Sequence, residues 1–292
     1  MLAPTHRKGS PPSQAGACSR EAEAATWAVD PIPQGVLMSA REKAEQFAAL
    51  HVRGRPLVLC NAWDAGSARA VADAGASAIA TSSWSVAAAQ GYADGEKLPL
   101  DVALQVYERI AMATRLPLTV DFESGYATEP ERVAEHLGGL LDIGVAGINF
   151  EDRAAAGGLH AIAQQQARLR AIRARADAAG LPLFVNARTD LFLQSPAAEH
   201  AGLLPAAIER AAAYAEAGAS GFFVPGLVAE ELIAELCAGV ALPVNVMVMP
   251  MLPSAARLAQ LGVARISHGP APYLRVMEAL RGYAADCCAV AG

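Results

Sequence analysis

Eight short apolar runs alternate with Ala-rich amphipathic stretches along this 292-residue chain, and that alternation predicts an α/β protein of the closed (β/α)₈ or TIM-barrel type. The runs stand at Leu57–Cys60, Ala78–Thr81, Leu118–Asp121, Ala146–Glu151, Leu183–Arg188, Gly221–Val224, Val244–Met247 and Ala264–Ser267. Helical stretches between them include Gly66–Ala74, Pro130–Leu141, Ala161–Ala178, Leu204–Ala217 and Ser254–Leu261. A second observation is the punctuation: Ala74-Gly75, Ile143-Gly144, Ala217-Gly218 and Leu261-Gly262 each place a Gly stop before the next strand. A third separates a barrel from a doubly wound open sheet. The first strand runs into CNAWDAGSA, which lacks the GxGxxG phosphate loop expected of the open fold.

Composition agrees. The chain is 53% hydrophobic but only 5% aromatic, so Ala, Val, Leu and Ile must build parallel strands covered on both faces. A formal charge of −6 without any basic run argues against nucleic acid as a partner. No apolar stretch is long enough to span a bilayer, and Arg7-Lys8 leads into no apolar secretory segment. The five cysteines, Cys18, Cys60, Cys237, Cys287 and Cys288, form no CxxC pair and read as reduced thiols of a cytoplasmic protein. Residues 1–37 have no sustained apolar period and read as a disordered extension, leaving 38–292 as the barrel. Met38 opens a helix carrying Phe47 and Leu50, and an internal start there would make the upstream residues an artefact; intact mass from the native host decides this.

Barrel active sites lie at the C-terminal ends of the strands. Those ends collect Asp121, Glu123, Glu151 and Asp152, four acids that repel one another unless a cation sits among them. Oxygen ligands without a His or Cys cluster favour Mg²⁺, or Mn²⁺, over zinc. Asp152 reads best as a surface pair with Arg153, and Glu123 has the alternative of capping a turn. Arg188, ending the fifth run, suits either a bidentate grip on a substrate carboxylate or a clamp on a neighbouring acid. Thr81-Ser82-Ser83-Trp84 offers hydroxyls and amides to an anion, and Asn245 ends the seventh run as a substrate-binding candidate.

Taken in order, NAWDAGSARAVADAGASAIATSSWSVAAAQGYADGE, VDFESGYA, GINFEDR, VNARTD and GVARISHG resemble the isocitrate lyase/phosphoenolpyruvate mutase superfamily, from about Met38 to Ala285. The resemblance implies a barrel whose last helix is swapped with a neighbouring subunit, and a tetramer built as a dimer of dimers. It implies Asp121 as a direct Mg²⁺ ligand, with Glu123 and Glu151 as further metal-site acids. Asp94 matches an acid flanking metal and substrate, Ser82, Ser83 and Trp84 the turn that holds the substrate carboxylate, and Arg188 the substrate-binding arginine. The implied chemistry stabilises an enolate of a small 2-oxo acid.

Departures from the family fall on reaction-specific groups. Lyases carry a Lys-Lys/Arg-Cys-Gly-His motif on the loop after the fourth strand, and mutases use Lys and Asn there; this chain reads DRAAAGGLHAIAQQQ. His160 in that segment reads as a surface loop residue. DTGYG becomes ESGYA, and the His after the sixth strand gives way to Val224-Pro225-Gly226. The leading expectation is therefore Mg²⁺-dependent C–C cleavage of a small 2-oxo or 2-hydroxy acid by decarboxylation, hydrolysis or aldol-type cleavage. Alternatives are 2-methylisocitrate lyase or phosphonomutase activity with an atypical loop, and a non-catalytic carboxylate-binding barrel.

Overall fold

The computed structural model describes residues 38–290. The extension expected over residues 1–37 and the question of the start at Met38 lie outside them. After α1 (Ala40–Ala49) the chain alternates β1 (Leu57–Leu59), β2 (Asn61–Ala62), α2 (Ala65–Asp73), β3 (Ile79–Thr81), α3 (Ser83–Ala89), α4 (Leu100–Ala113), β4 (Leu118–Asp121) and α5 (Pro130–Ile143). It continues through β5 (Gly147–Glu151), α6 (Ile162–Ala178), β6 (Phe184–Arg188), α7 (His200–Glu216), β7 (Gly221–Phe223), α8 (Glu230–Gly239), β8 (Val244–Met247), α9 (Ala255–Gln260), β9 (Arg265–Ser267) and α10 (Ala271–Val290). All pairings are parallel, in the order β1-β9-β8-β7-β6-β5-β4-β3-β2. The two ends of that order, β1 and β2, are halves of one strand parted by Cys60. One half pairs with β9 and the other with β3, so the sheet closes into a barrel.

Local signals explain the boundaries. Ser39 and Glu42 form a capping box on α1, Asp64 and Ser67 another on α2, each cap being worth about 1 kcal/mol. Pro130 opens α5 and Gly144 ends it in the left-handed conformation. The large apolar cluster lies between strands and surrounding helices. A smaller one, with Phe47, Leu57, Leu59, Ala80 and Phe184, closes the barrel at the end where the strands begin. Phe47 meets Phe184 edge-on at 5.6 Å and lies so near β5 that a Cβ on Gly147 would stand 2.8 Å from its ring. Removing that ring should cost about 3–5 kcal/mol.

Above this plug the interior turns polar. Strand alternation and hydrogen bonds place Asn61, Asn149, Asn186, Asn245, Arg265 and Ser267 inside, all buried. Barrel interiors are usually layers of Val, Ile and Leu. This polar layer is the floor on which the acids of the mouth stand.

Candidate active site

A cavity of about 170 Å³ opens where the strands end, lined by residues that include Ser82, Ser83, Trp84, Asp94, Asp121 and Arg188. Asp121 ends β4, with its amide donating to Thr81 Oγ1 at 3.0 Å. Its Oδ2 accepts from the Ser83 amide (3.2 Å) and the Ser83 hydroxyl (2.8 Å). Its Oδ1 is buried without a hydrogen-bond partner, a costly state for a carboxylate oxygen.

Glu151 stands opposite Arg188 in the β5–β6 register, and the two form an ion pair at 2.9 Å. Arg188 Nε also meets Asp190 at 2.6 Å, while its Nη1 stands 4.0 Å from Asp121 Oδ1. Burial pushes the Arg188 pKa down, but Glu151, Asp190 and Asp121 outweigh it and hold the guanidinium charged beyond its ordinary range. Arg188 thus clamps neighbouring acids and also lines the cavity.

Glu123 adopts a left-handed φ of 50°. Its Oε2 accepts from the Glu96 amide at 2.7 Å, and Tyr126 Oη donates to its Oε1 at 3.3 Å. Burial, then the charges of Asp121 and Asp94, push its carboxyl up to about 8. Burial and Asp121 likewise raise Asp94, which keeps one side open to solvent. Glu96 was not legible as a site residue. Its Oε1 accepts from Ser124 N (3.1 Å), Ser124 Oγ (2.6 Å) and Tyr126 N (2.7 Å), tying the segment after α3 onto the turn after β4. From the other side Arg168 of α6 donates to the Ser124 and Ala127 carbonyls.

The expected site residues therefore gather in two tiers. Ser82, Ser83, Trp84, Asp94, Asp121 and Arg188 line the cavity, whereas Glu123 and Glu151 stand behind it, facing Glu96 and Arg188. Asn245 points into the polar floor and donates to Ser267 Oγ at 3.2 Å; Met247 and Ser267 line the cavity instead. Two expectations are corrected. Asp152 is no surface pair with Arg153: it is fully buried, accepting from Asp190 N, Arg210 Nη1 (3.1 Å) and Tyr214 Oη (2.7 Å). His160 is buried too, its amide donating to the Asp152 carbonyl at 2.8 Å, so it belongs to the anchor of its loop. Both were misread because Arg210, on the distant helix α7, donates to the Asp152 carboxylate and to the His160 carbonyl.

Among the described residues no three His, Cys, Asp or Glu side chains converge in a ready metal cluster. The donor set nevertheless fits a hard cation. The orphaned Asp121 Oδ1 is an anionic oxygen, and Mg²⁺ takes few direct carboxylates while keeping several waters. Beyond the cavity, Gly226 has φ 95°, and a Cβ there would stand 2.9 Å from the Leu193 nitrogen and the Phe192 carbonyl carbon. Only glycine fits where these two backbone segments cross.

A closed parallel barrel with a carboxylate-rich mouth is the architecture of enzymes that work at their strand ends. A family profile described as phosphoenolpyruvate phosphomutase matches residues 47–288. The crystal structure of a protein from Burkholderia cenocepacia J2315, provisionally assigned as a phosphonomutase, is 50% identical, covers 85% of this chain and 99% of its own, and superposes with TM-score 0.83. The 2-methylisocitrate lyase of Escherichia coli K12 is 32% identical over 214 residues, 71% of this chain and 70% of that one. A phosphonopyruvate hydrolase solved with oxalate and Mg²⁺ shares the fold at TM-score 0.75 and 22% identity, covering 87% of this chain and 89% of its own. The chain belongs to the phosphoenolpyruvate phosphomutase family, within the isocitrate lyase/phosphoenolpyruvate mutase superfamily, and is an enzyme of the lyase or phosphonomutase type.

Proposed function

We propose that this enzyme cleaves a C–C bond of a small 2-oxo or 2-hydroxy carboxylic acid through an enolate, with Mg²⁺ or Mn²⁺ as cofactor. The observation that carries the reading is the orphaned Asp121 Oδ1 beside Asp94 and Arg188 in one small cavity. Asp121 would hold the metal, with Glu123 and Glu151 behind it and Asp94 flanking it. Bound there, the ion supplies positive charge to substrate oxygens on which negative charge develops. Trp84 and the Ser82–Ser83 turn orient the substrate carboxylate, and Arg188 presents a fixed positive charge at the cavity wall. Trp84 is itself braced by Tyr273 at 5.8 Å.

The loop after β5 contributes neither Cys nor Lys, which favours a cleavage that needs no proton donor from that loop. Calorimetric titration of oxalate, an enolpyruvate mimic, tests the reading. Binding that requires Mg²⁺, and that Asp121→Ala abolishes together with Mg²⁺ binding, is the expected result. Unchanged Mg²⁺ affinity in that variant would overturn the metal assignment. The similarity to 2-methylisocitrate lyase supports a second reading, cleavage of a branched tricarboxylate, which a turnover screen over 2-hydroxy acids separates.

Two copies exchanging α10 is the assembly proposed for the enzyme, within a dimer of dimers. Val58, on the outer face of β1, is 49% exposed and borders a groove of about 660 Å³ against α2, while Leu274, Leu280 and Tyr283 of α10 are also exposed. A partner's helix in that groove would bury both faces. Light scattering on Val58→Glu should show smaller particles than wild type; an unchanged mass rejects the exchange. No helix of the described residues is long and apolar enough to cross a membrane.

A further inference from the structure

Arg265 opens β9 and is 1% exposed. Its side chain crosses the barrel interior: Nε donates to Ser267 Oγ at 3.1 Å and Nη2 to Asn149 Oδ1 at 3.2 Å, on the far strand β5. Below it the guanidinium carbon stands 6.0 Å from the Phe47 ring. Nη1 is buried without a partner, and among the described residues no carboxylate lies within ion-pair distance of the guanidinium. A buried charge without a counter-ion is expensive, and an aliphatic side chain is the ordinary filling of a barrel layer. What lies above Arg265 gives it a task. Asn149 and Ser267, the two side chains it holds, both line the cavity, and the charge of Asp121 favours its charged form. The mouth carries Asp94, Asp121 and Asp190, with Glu151 paired to Arg188 and Glu123 pushed by burial toward its neutral form, and its charged acids repel an entering carboxylate.

We infer that Arg265 is a positioning residue of this site, holding Asn149 and Ser267 at the cavity floor and supplying from beneath the positive field that admits an anionic substrate beside the acids. The inference rests on the carboxylic-acid reading above. Burial lowers its pKa to about 9, so the charge persists at neutral pH. The test uses the full chain with three variants: Arg265→Met and Arg265→Gln remove the charge, and Arg265→Lys keeps it. Calorimetry with Mg²⁺ alone should show the two neutral variants binding about tenfold tighter, because a like charge has gone. Oxalate, titrated with Mg²⁺ present, should bind about tenfold weaker to both, with Arg265→Lys returning both affinities toward wild type. These opposite signs exclude a merely structural role, which would weaken both ligands together. Mg²⁺ affinity that is unchanged or weaker in a folded neutral variant overturns the inference. Should wild type fail to bind oxalate, the proposed function falls, while the Mg²⁺ titration still judges Arg265.

Discussion

The two segments bordering the mouth are built on opposite plans. The one after α3, carrying Asp94 and Glu96, is fastened by its neighbours: Glu96 accepts three hydrogen bonds from the turn after β4 and donates its amide to Glu123. The one after β5 closes on itself, with Ala154 N donating to the Gly158 carbonyl at 3.0 Å and Arg153 bridging Leu159. Its Gly157 and Gly158 face open space. The acid site is thus shaped from the β4 side by tertiary bonds, while the segment after β5 is a small hairpin that Gln194 and Arg210 hold at the Gly158 and His160 carbonyls.

The largest break in this contrast should come from Glu96→Ala. Losing three bonds to a charged acceptor is worth about 3 kcal/mol, or a Tm drop of about 8 °C. Turnover and Mg²⁺ affinity should fall at least about tenfold as Asp94 and Glu123 lose their frame. Normal Mg²⁺ binding in that variant would mean the segment is not what shapes the site.

A middle-sized effect follows from Glu123. Its folded carboxyl, near 8, lies above the ordinary 4.5, so the folded state holds the proton more tightly than the unfolded chain. Its contribution to stability is full at low pH and is lost as pH rises from about 4.5 through 8. In chelator, Tm should therefore decline over that window, and Glu123→Gln should flatten the decline. Mg²⁺ should raise Tm more at the alkaline end than at the acid end. A Tm profile identical in wild type and Glu123→Gln would show that the carboxylate is solvated.

The smallest effect belongs to the hairpin. Gly157→Ala and Gly158→Ala force left-handed backbone onto alanine at about 1 kcal/mol each, a Tm shift of about 3 °C, with kcat within about twofold of wild type. A collapse of kcat would instead give the hairpin a part in catalysis.

Much of the fold was legible because each strand is a short apolar run and each Gly stop marks a left-handed helix end, as at Gly75, Gly144, Gly218 and Gly262. The break at Cys60 was not, since the first run continues unbroken into Asn61 in sequence and divides only because its two halves pair with different strands. At the mouth, Asp121, Arg188 and the Ser82–Trp84 turn could be read as strand-end residues. Glu96, Asp152, His160 and Arg265 were hidden because their roles depend on partners 28 to 116 residues away, which no local pattern records.

Gly226 limits how this wall of the barrel mouth can vary. Gly226, a short way past the end of β7, sits where two backbones touch, and any side chain there collides with Phe192 and Leu193. A single substitution cannot place a side chain there, because the neighbouring segment would have to retreat first. The position works as a lock: while the Phe192–Leu193 backbone rests against glycine, any change of specificity has to come from other parts of the cavity wall.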